Sequence, residues 1–278
     1  MGLTTGGLLD CLQLRQVGTD RYRADNVDTG HFVVFGGQLL AQSIVAALVG
    51  HEAKTVKTLH TVFVRAGSLD APLDIDVDRL HNGRAVASST VTIRQGDRLC
   101  AHSMVLLTAD EPDLVRHADR LAAPPPVPED SGRGPDDTGG WEVCIVDDVD
   151  IYDPDAVGPA RLDVWTRFLD GPSDLATSQA LLAYATDGFL IGTAMRPHPG
   201  IGQSQAHKTL STGVLSHTIT FHEPFSASEW LLLSHTSPYA GRGRSYGRAD
   251  VFCEDGQLVA SFNQDNMIRP MTKSSSAL

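Results

Sequence analysis

Cysteine is scarce and scattered in this sequence of 278 residues. The four cysteines are Cys11, Cys100, Cys144 and Cys253, and no two of them form a C-x-x-C pair. This spacing argues against a zinc knuckle and against a disulfide framework. It is typical of reduced thiols, and the sequence therefore predicts a cytoplasmic protein.

Long hydrophobic runs and an N-terminal targeting pattern are also missing. The longest apolar stretch, LLAQSIVAALVG, is too short and too interrupted to span a bilayer. The N-terminal stretch MGLTTGGLLDCLQLRQ has no basic region and no adequate apolar core, so we expect no signal peptide. The sequence therefore predicts no membrane partner.

Positive charge is in short supply. The chain has 22 Lys and Arg against 34 Asp and Glu, which gives a net charge of −12. Such a balance argues against non-specific nucleic-acid binding, and we expect no nucleic-acid partner. The hydrophobic content of 41% is ordinary for a globular protein, and the chain is long enough to bury a substantial core.

Several common catalytic motifs are absent. No H-E-x-x-H occurs, because HEPF at His222 does not continue to a second ligand. The stretch GIGQSQAH has Ala206 where a nucleophile elbow needs glycine, so Ser204 is interpreted as an ordinary loop serine. There is no Walker A sequence, and GRGR at 241–244 is too short for a dinucleotide fingerprint. We therefore expect no metal and no cofactor.

One segment rich in Pro, Asp and Gly divides the chain. It runs over 109–140, ADEPDLVRHADRLAAPPPVPEDSGRGPDDTGG, and has little periodicity. Such composition is typical of a linker between two units. The sequence therefore predicts an N-terminal unit at 1–108, this linker, and a C-terminal unit at 141–278.

The two units resemble each other. In each, a helical segment, FGGQLLAQSIVAAL (35–48) or SDLATSQALLAYATD (173–187), comes before a series of strand candidates. The segments LHTVFVRA and SHTITFHE share a His-Thr pair, which makes His60 the expected repeat partner of His217. A long buried helix wrapped by an antiparallel sheet is the hotdog architecture. The sequence therefore predicts an α+β double hotdog.

Two polar residues of the second unit stand out by their positions. Asp187 ends the second helical segment, with Gly188 as the expected C′ glycine, and a carboxylate there opposes the helix dipole. Gln264 lies late in the strand candidate QLVASFNQDNMIRP. Each has a plain interpretation, as a turn residue and as a satisfied strand-end amide. Each residue also has a functional interpretation. In that interpretation, the Gln264 amide would orient a water.

The histidines and arginines of the second unit allow two interpretations as well. His217 and His222 are five residues apart, so on a strand they point to opposite faces and cannot both line one site. A lone half-buried histidine more often has a structural role. The stretch GRGRSYGR is either a solvated turn or a clamp for phosphate groups, formed by Arg242, Arg244 and Arg248.

Four motifs together resemble the acyl-CoA thioesterase II family, whose members are double-hotdog enzymes. These motifs are VFGGQLLAQSIVAA, AYATDGFL, FHEPFSASEWLLLSHTSP and EDGQLVASFNQDNMIRP. They occur in the order and spacing of the family and cover about residues 8–108 and 140–270. The resemblance implies hydrolysis of acyl-CoA to a free acid and CoA, with no acyl-enzyme intermediate.

The resemblance also implies site residues. The family holds and activates a water with an Asp, a Thr or Ser, and a Gln, and the matching Asp and Gln here are Asp187 and Gln264. Asp187 would act as the general base and Gln264 would fix the water. Backbone N–H groups at the glycine-opened helix start, Gly36 and Gly37, are the expected oxyanion donors.

The hydroxyl of that set is missing, because Val214 occupies its position when counted back from FHEPF. Residues two apart share a strand face, so Val214, Ser216 and Thr218 are expected to lie on one face. Ser216 is the preferred substitute, with Thr218 as the next. Thr212 would serve if a small gap shifts the register. Otherwise the site lacks the hydroxyl and is slow, altered or inactive.

The first unit has Val105 approximately where the second has Gln264, so we expect one active site per chain. The resemblance implies an acyl-CoA substrate and a homo-oligomer. Two other functions stay open. One is a hotdog hydratase or dehydratase acting on acyl-CoA, in which His217 or His222 would transfer protons. The other is a catalytically weak acyl-CoA binder, because of Val214.

Overall fold

The computed structural model of the chain describes residues 4–30, 32–128 and 140–271. Within these ranges, one antiparallel sheet of 12 strands runs through the molecule, accompanied by short and medium α-helices. None of the described helices is long and apolar enough to cross a bilayer.

The first half contains a short helix, two short strands, a long buried helix and four long strands. Their bounds are α1 (Thr5–Cys11), β1 (Arg15–Gly18), β2 (Arg21–Ala24), α2 (Gly36–Leu48), β3 (Thr55–Phe63), β4 (Leu73–Asn82), β5 (Val86–Gln95) and β6 (Arg98–Thr108). The helix α2 is composed of small and apolar residues with three polar side chains, and almost all of it is buried. A helix that is apolar nearly all round belongs inside a protein, which is where this one lies.

The second half repeats this plan with an additional helix. Its elements are β7 (Trp141–Ile145), β8 (Arg161–Phe168), α3 (Leu175–Ala185), α4 (Leu190–Met195), β9 (Leu210–Phe221), β10 (Leu231–Gly241), β11 (Arg244–Cys253) and β12 (Leu258–Pro270). The strands β9 and β12 alternate buried and partly exposed residues over much of their length, because the helices cover only one face of these strands.

The strand order confirms the predicted double hotdog. The first half reads β2-β4-β5-β6-β3 across the sheet, and the second reads β8-β10-β11-β12-β9. In both halves the strand after the buried helix pairs with the last strand of that half. The two halves meet where β3 pairs with β9, with Leu59 opposite Ile219 and Thr61 opposite His217.

The helix α3 begins as predicted and ends earlier. The Asp174 carboxylate caps its start by accepting a hydrogen bond of 2.8 Å from the Thr177 N–H. The last helical residue is Ala185, and Thr186 forms the C-cap. The prediction that Gly188 is a left-handed C′ glycine is wrong, because Gly188 does not adopt a positive φ. Asp187 therefore lies just beyond the helix, in the connection to α4.

The described part of the predicted linker packs against the second half. Residues 109–128 contain no helix and no strand of their own. Arg120 forms an isolated bridge with Gln257, and the Leu121 N–H donates to the Gly256 carbonyl at 3.0 Å. Residues 129–139 of the predicted linker lie outside the described residues, and the unit boundaries stay a prediction.

The proposed repeat pair of histidines is wrong in detail. His60 is exposed on the uncovered face of the sheet, whereas His217 is fully buried on the face that carries the helices. His60 lies directly opposite Thr218, one residue away from His217. A shift of one residue reverses the face of a strand side chain, so the shared His-Thr pair does not mark equivalent positions.

The helices α2 and α3 pack against each other on the covered face and share one core. Phe35, before α2, meets Tyr184 of α3 edge to face, with ring centroids 5.0 Å apart. Gln179 of α3 is buried and binds the backbone of Val56 in β3 twice. Its Oε1 accepts from the Val56 N–H at 3.0 Å, and its Nε2 donates to the Val56 carbonyl at 2.8 Å. One side chain thus ties the second half to the first.

We predict that Gln179→Ala lowers the free energy of unfolding by about 2–4 kcal/mol, because a buried N–H and a buried C=O lose their partner. Urea denaturation monitored by circular dichroism measures this change. Gln13→Ala, at an exposed position, is the control and should cost less than about 0.5 kcal/mol. Equal effects of the two substitutions would show that the Gln179 bridge contributes little.

Candidate active site

Asp187 and Gln264 meet on the covered face of the sheet. Gln264 lies in β12, and its Nε2 donates to Asp187 Oδ1 at 3.0 Å. The two residues are 77 positions apart in the chain, and the structure brings them together because the connection between α3 and α4 reaches β12, where Gln264 Nε2 also lies 3.4 Å from the Thr186 carbonyl. The contact puts a carboxylate and an amide, both predicted as site residues, side by side.

The start of α2 contacts the same carboxylate. The Gly37 N–H donates a hydrogen bond to Asp187. A Cβ on Gly36 would lie 2.5 Å from Asp187 Oδ2, so only glycine allows this approach. The helix start of the first half and the carboxylate of the second therefore form one site. The Gly37 N–H, expected as an oxyanion donor, is engaged by Asp187.

His217 is a member of this cluster that the sequence did not reveal. It lies opposite Gln264 in the β9–β12 pair, and its Nδ1 is 2.8 Å from Gln264 Nε2. Its Nε2 is 3.1 Å from the hydroxyl of Thr186, which itself donates to the Ala183 carbonyl. The network therefore assigns the proton to Nε2 and makes Nδ1 the acceptor. The position of His217 in this cluster depends on strand register, which cannot be read from the sequence.

Burial keeps His217 neutral. Desolvation by burial, with a smaller contribution from the nearby His60, lowers the pKa of His217 to about 3. The ring is stacked on Phe262, with centroids 5.6 Å apart. A neutral imidazole with a fixed tautomer accepts one hydrogen bond and donates one. His217 thus holds the Gln264 amide in one orientation.

The Gln264 side chain is left with one free acceptor. Its Nε2 donates to Asp187 and His217 and also lies 3.4 Å from the Thr186 carbonyl, so both N–H groups of the amide are engaged. Its Oε1 is buried and has no hydrogen-bond partner among the described residues. A buried carbonyl oxygen without a partner is costly and is suited to accept from a water or a ligand.

Asp187 is poised to exchange a proton near neutral pH. Desolvation raises the pKa of Asp187 to about 7, while the hydrogen bonds from Gly37 and Gln264 act in the opposite direction. A carboxylic acid with this pKa is partly ionised at pH 7, which suits a general base.

The two substitute hydroxyls lie on the other face of the sheet. A β-bulge shifts the β9–β12 register, so that Ser216 is opposite Asp265 while Val214 is opposite Asn266. The Ser216 hydroxyl is 3.1 Å from Asp265 Oδ2. The expectation that Val214, Ser216 and Thr218 share one face is wrong, because the extra residue of a bulge reverses the alternation.

The other candidate hydroxyls follow from the same bulge. The Thr218 hydroxyl is 2.8 Å from Nδ1 of the exposed His60, on the uncovered face. Thr212 is buried and lies opposite Ile268, on the same face as Val214. The structure therefore brings neither Ser216 nor Thr218 to Asp187 and Gln264.

The arginines also lie apart from this cluster. Arg244 and Arg248 are exposed and alternate along β11 with the buried Ser245 and Gly247. Gly247 is the residue opposite Gln264, so these two arginines point to the other face. Arg242 lies in the turn between β10 and β11, with a φ of 55°.

The remaining residues that the sequence singled out are not part of the cluster formed by Asp187, Gln264 and His217. Ser204 lies in a short 3-10 turn after α4, which does not form a nucleophile elbow. His222, just after β9, contacts the Ser261 hydroxyl at 3.0 Å on the uncovered face. Val105, which the sequence gives as the approximate first-half match to Gln264, is buried opposite Leu59 and is apolar.

The fold is a double hotdog in which a carboxylate meets a strand amide on the face of the sheet that the helices cover. Family models match both halves. The one described as "Acyl-CoA thioesterase N-terminal domain" matches residues 23–108, and "Acyl-CoA thioesterase C-terminal domain" matches residues 115–268. The chain belongs to the acyl-CoA thioesterase II family.

Individual relatives agree with this membership. The chain is 26% identical to acyl-CoA thioesterase 2 of Haemophilus influenzae over 284 residues, covering 94% of this chain and 96% of that protein. It is 27% identical to acyl-coenzyme A thioesterase 8 of Mus musculus, covering 93% of this chain and 87% of that protein. The crystal structure of acyl-CoA thioesterase II TesB2 from Mycobacterium marinum superimposes with a TM-score of 0.78 at 27% identity, covering 97% and 99%.

We predict that Asp187→Asn stabilises the fold at high pH and not at low pH. The pKa of Asp187 is raised from 3.8 to about 7, so ionising this carboxyl costs more in the folded than in the unfolded chain. The cost is absent below pH 4, grows as pH rises, and is complete above pH 7. Asparagine avoids it, so the gain should reach about 1–3 kcal/mol at pH 8.

Urea denaturation at pH 4 and at pH 8 measures the two differences. Asp265→Asn is the control, because it removes a carboxylate of the same sheet from the exposed face. If Asp187→Asn is no more stable than wild type at pH 8, ionised Asp187 does not destabilise the fold and the prediction is wrong.

Proposed function

We propose that this chain hydrolyses acyl-CoA thioesters to a free carboxylic acid and CoA, without an acyl-enzyme, by a water held between Asp187 and Gln264. The observation that carries the proposal is the 3.0 Å contact between Gln264 Nε2 and Asp187 Oδ1, which joins a carboxylate to an amide with a free Oε1. Membership of a thioesterase family supports it.

The reaction needs a base and a place for the water. A water that donates one hydrogen to Asp187 and the other to Gln264 Oε1 has its lone pairs directed at the thioester carbon. Asp187 takes the proton as the new C–O bond forms. The tetrahedral intermediate then breaks its C–S bond, and the proton passes from Asp187 to the departing CoA sulfur. Atoms and charge balance, and Asp187 ends as it began.

Gln264 and His217 act through geometry. The Gln264 amide has no titratable group, so its contribution is the fixed direction of Oε1. His217 Nδ1, 2.8 Å from Gln264 Nε2, keeps the amide from rotating by half a turn. With the amide in this orientation, the acceptor Oε1 rather than the donor Nε2 is left for the water.

The start of α2 supports the base. The Gly37 N–H stabilises the ionised form of Asp187 and so limits the rise of its pKa. Part of the base therefore stays ionised at neutral pH. Gly36 leaves the space that the carboxylate occupies. The oxyanion therefore requires a donor other than Gly37.

A hydratase or dehydratase fits the cluster less well. Such an enzyme would need a histidine free to exchange a proton with its substrate. His217 has one ring nitrogen engaged by Gln264 and the other by Thr186, and burial lowers its pKa to about 3. His222 lies on the uncovered face.

Several finer points stay predictions. They are an oligomeric assembly, a cytoplasmic location, a single active site per chain, and a phosphate clamp formed by the arginines of the β10–β11 hairpin. The predicted clamp consists of Arg242, Arg244 and Arg248, of which Arg244 and Arg248 are exposed along β11.

We predict that Asp187→Asn lowers kcat for acyl-CoA hydrolysis by about 10³-fold, because a positioned general base contributes 10²–10⁴-fold. Gln264→Ala should lower kcat by about 10²-fold, because the water is no longer held in line. A thiol-release assay across short, medium, long and branched acyl-CoAs measures both and also identifies the preferred chain.

The control for these two variants is Asn263→Ala, which removes an amide next to Gln264 on the opposite face of β12. It should retain activity within about twofold of wild type. Unchanged turnover in both site variants would show that Asp187 and Gln264 do not hold the attacking water. Hydration of an enoyl-CoA without CoA release would instead favour the hydratase, and tight binding of acyl-CoA without either reaction would favour a binder.

We predict that kcat/KM falls about tenfold per pH unit below pH 7, because the base must be ionised and the pKa of Asp187 is about 7. Above that pH the rate should level off. A pH–rate profile between pH 5 and pH 9, with stability checked at each pH, gives the midpoint. A profile that stays flat from pH 5 to pH 8 would show that Asp187 is not the base.

A further inference from the structure

Asn266 is a buried amide that the structure leaves without a partner. Its exposure is 0%, and neither Oδ1 nor Nδ2 has a hydrogen-bond partner among the described residues. A buried amide without hydrogen bonds costs free energy that an apolar residue of similar shape would not. The Asn266 amide is therefore suited to form hydrogen bonds with a bound ligand.

Asn266 lies next to the proposed water site. It is two residues from Gln264 in β12 and therefore on the same face, about 6.6 Å along the strand. Gln264 Oε1 is also buried without a partner among the described residues. The unmet Asn266 amide and the unmet Gln264 Oε1 lie two residues apart on the face of β12 that meets Asp187, and together they indicate one polar ligand that contacts both.

The neighbours of Asn266 explain why nothing in the fold satisfies it. In β9 the residue directly opposite is Val214, which has no polar side-chain atom. In β11 the residue directly opposite is Ser245, whose buried hydroxyl likewise has no partner among the described residues. The row formed by Val214, Asn266 and Ser245 thus has polar groups directed into the covered side of the sheet.

The ligand that fits Asn266 is the developing oxyanion of the reaction, because it requires a hydrogen-bond donor. Asp187 and Gln264 Oε1 are both acceptors, so they suit the attacking water and not the carbonyl oxygen. The Gly37 N–H is engaged by Asp187. Asn266 Nδ2 is a donor with no other engagement among the described residues, on the same face as the water site.

We infer that Asn266 is a catalytic residue that donates from Nδ2 to the thioester carbonyl oxygen, and so supplies from β12 the polar group that Val214 does not supply from β9. The inference rests on the proposed hydrolysis. The N–H donor stabilises the oxygen most when it carries negative charge, so its effect belongs to kcat rather than to substrate binding.

The test replaces Asn266 with Leu, which has the same branched shape and no polar atoms. Asn266→Leu should lower kcat for acyl-CoA hydrolysis by about 10²-fold and change KM by less than about threefold. Its midpoint of thermal unfolding should equal or exceed that of wild type, because an unmet amide has been removed. A residue that only supported the fold would show the reverse, with lost stability and intact kcat per folded molecule.

A second variant tests the pairing across the strands. Val214→Thr places a hydroxyl directly opposite position 266. In the Asn266→Leu background it should recover at least about tenfold in kcat, and in the wild-type background it should change kcat by less than about threefold. The matched control is Asn263→Leu, the same substitution on the opposite face of β12, which should stay within about twofold of wild type.

Parallel assays of wild type and Asp187→Asn separate the two levels of failure. If wild type releases CoA, Asp187→Asn does not, and Asn266→Leu matches wild type, the role of Asn266 is overturned while the hydrolysis stands. Loss of activity in Asn266→Leu with raised KM and unchanged kcat would also overturn it. If wild type releases no CoA from any acyl-CoA, both proposals fail.

Discussion

The pairing of β3 with β9 is the constraint on which the rest of this structure depends. Five residue pairs, from Thr58 opposite Thr220 to Val62 opposite Ser216, join two hotdog units into one sheet. Because each unit places its helix on the same face, this pairing lays α2 beside α3. The Gly37 N–H of the first half then meets the Asp187 carboxylate of the second. Neither half has this contact alone, so the site is a product of the junction.

The site combines burial with a limited number of compensating hydrogen bonds. Desolvation raises the pKa of Asp187 to about 7, and the donors Gly37 and Gln264 prevent a larger rise. Gln264 is in turn oriented by a histidine that burial keeps neutral. Each group is thus fixed by its neighbour, and polar atoms on Gln264 and Asn266 are left without partners among the described residues. Leaving these buried polar atoms without partners among the described residues costs stability.

The sequence predicted the elements well and their faces less well. Helical segments at 35–48 and 173–187 correspond to α2 and α3, since a run of small and apolar residues between cap signals specifies a buried helix. Asp187 and Gln264 were found by resemblance, and the structure brings them within 3.0 Å. Their catalytic roles remain proposals. Ser216 and Thr218 were misplaced because one bulge in β9 reverses the alternation, and a bulge has no reliable signature in a single sequence.

By itself, the sequence determined the fold class, the tandem repeat and the family, since these depend on local periodicity and on motifs that are continuous in the chain. Only the tertiary structure decided which polar groups share a site. Asp187, His217 and Gln264 come from three separate elements, and their meeting depends on strand register and helix packing. Register also decided that His217 points inward and His60 outward, and that Asn266 rather than Ser216 lies on the same face as Gln264. The physical reason is that a strand's side chains change face with every residue, so a single inserted residue redistributes an entire set of functional groups.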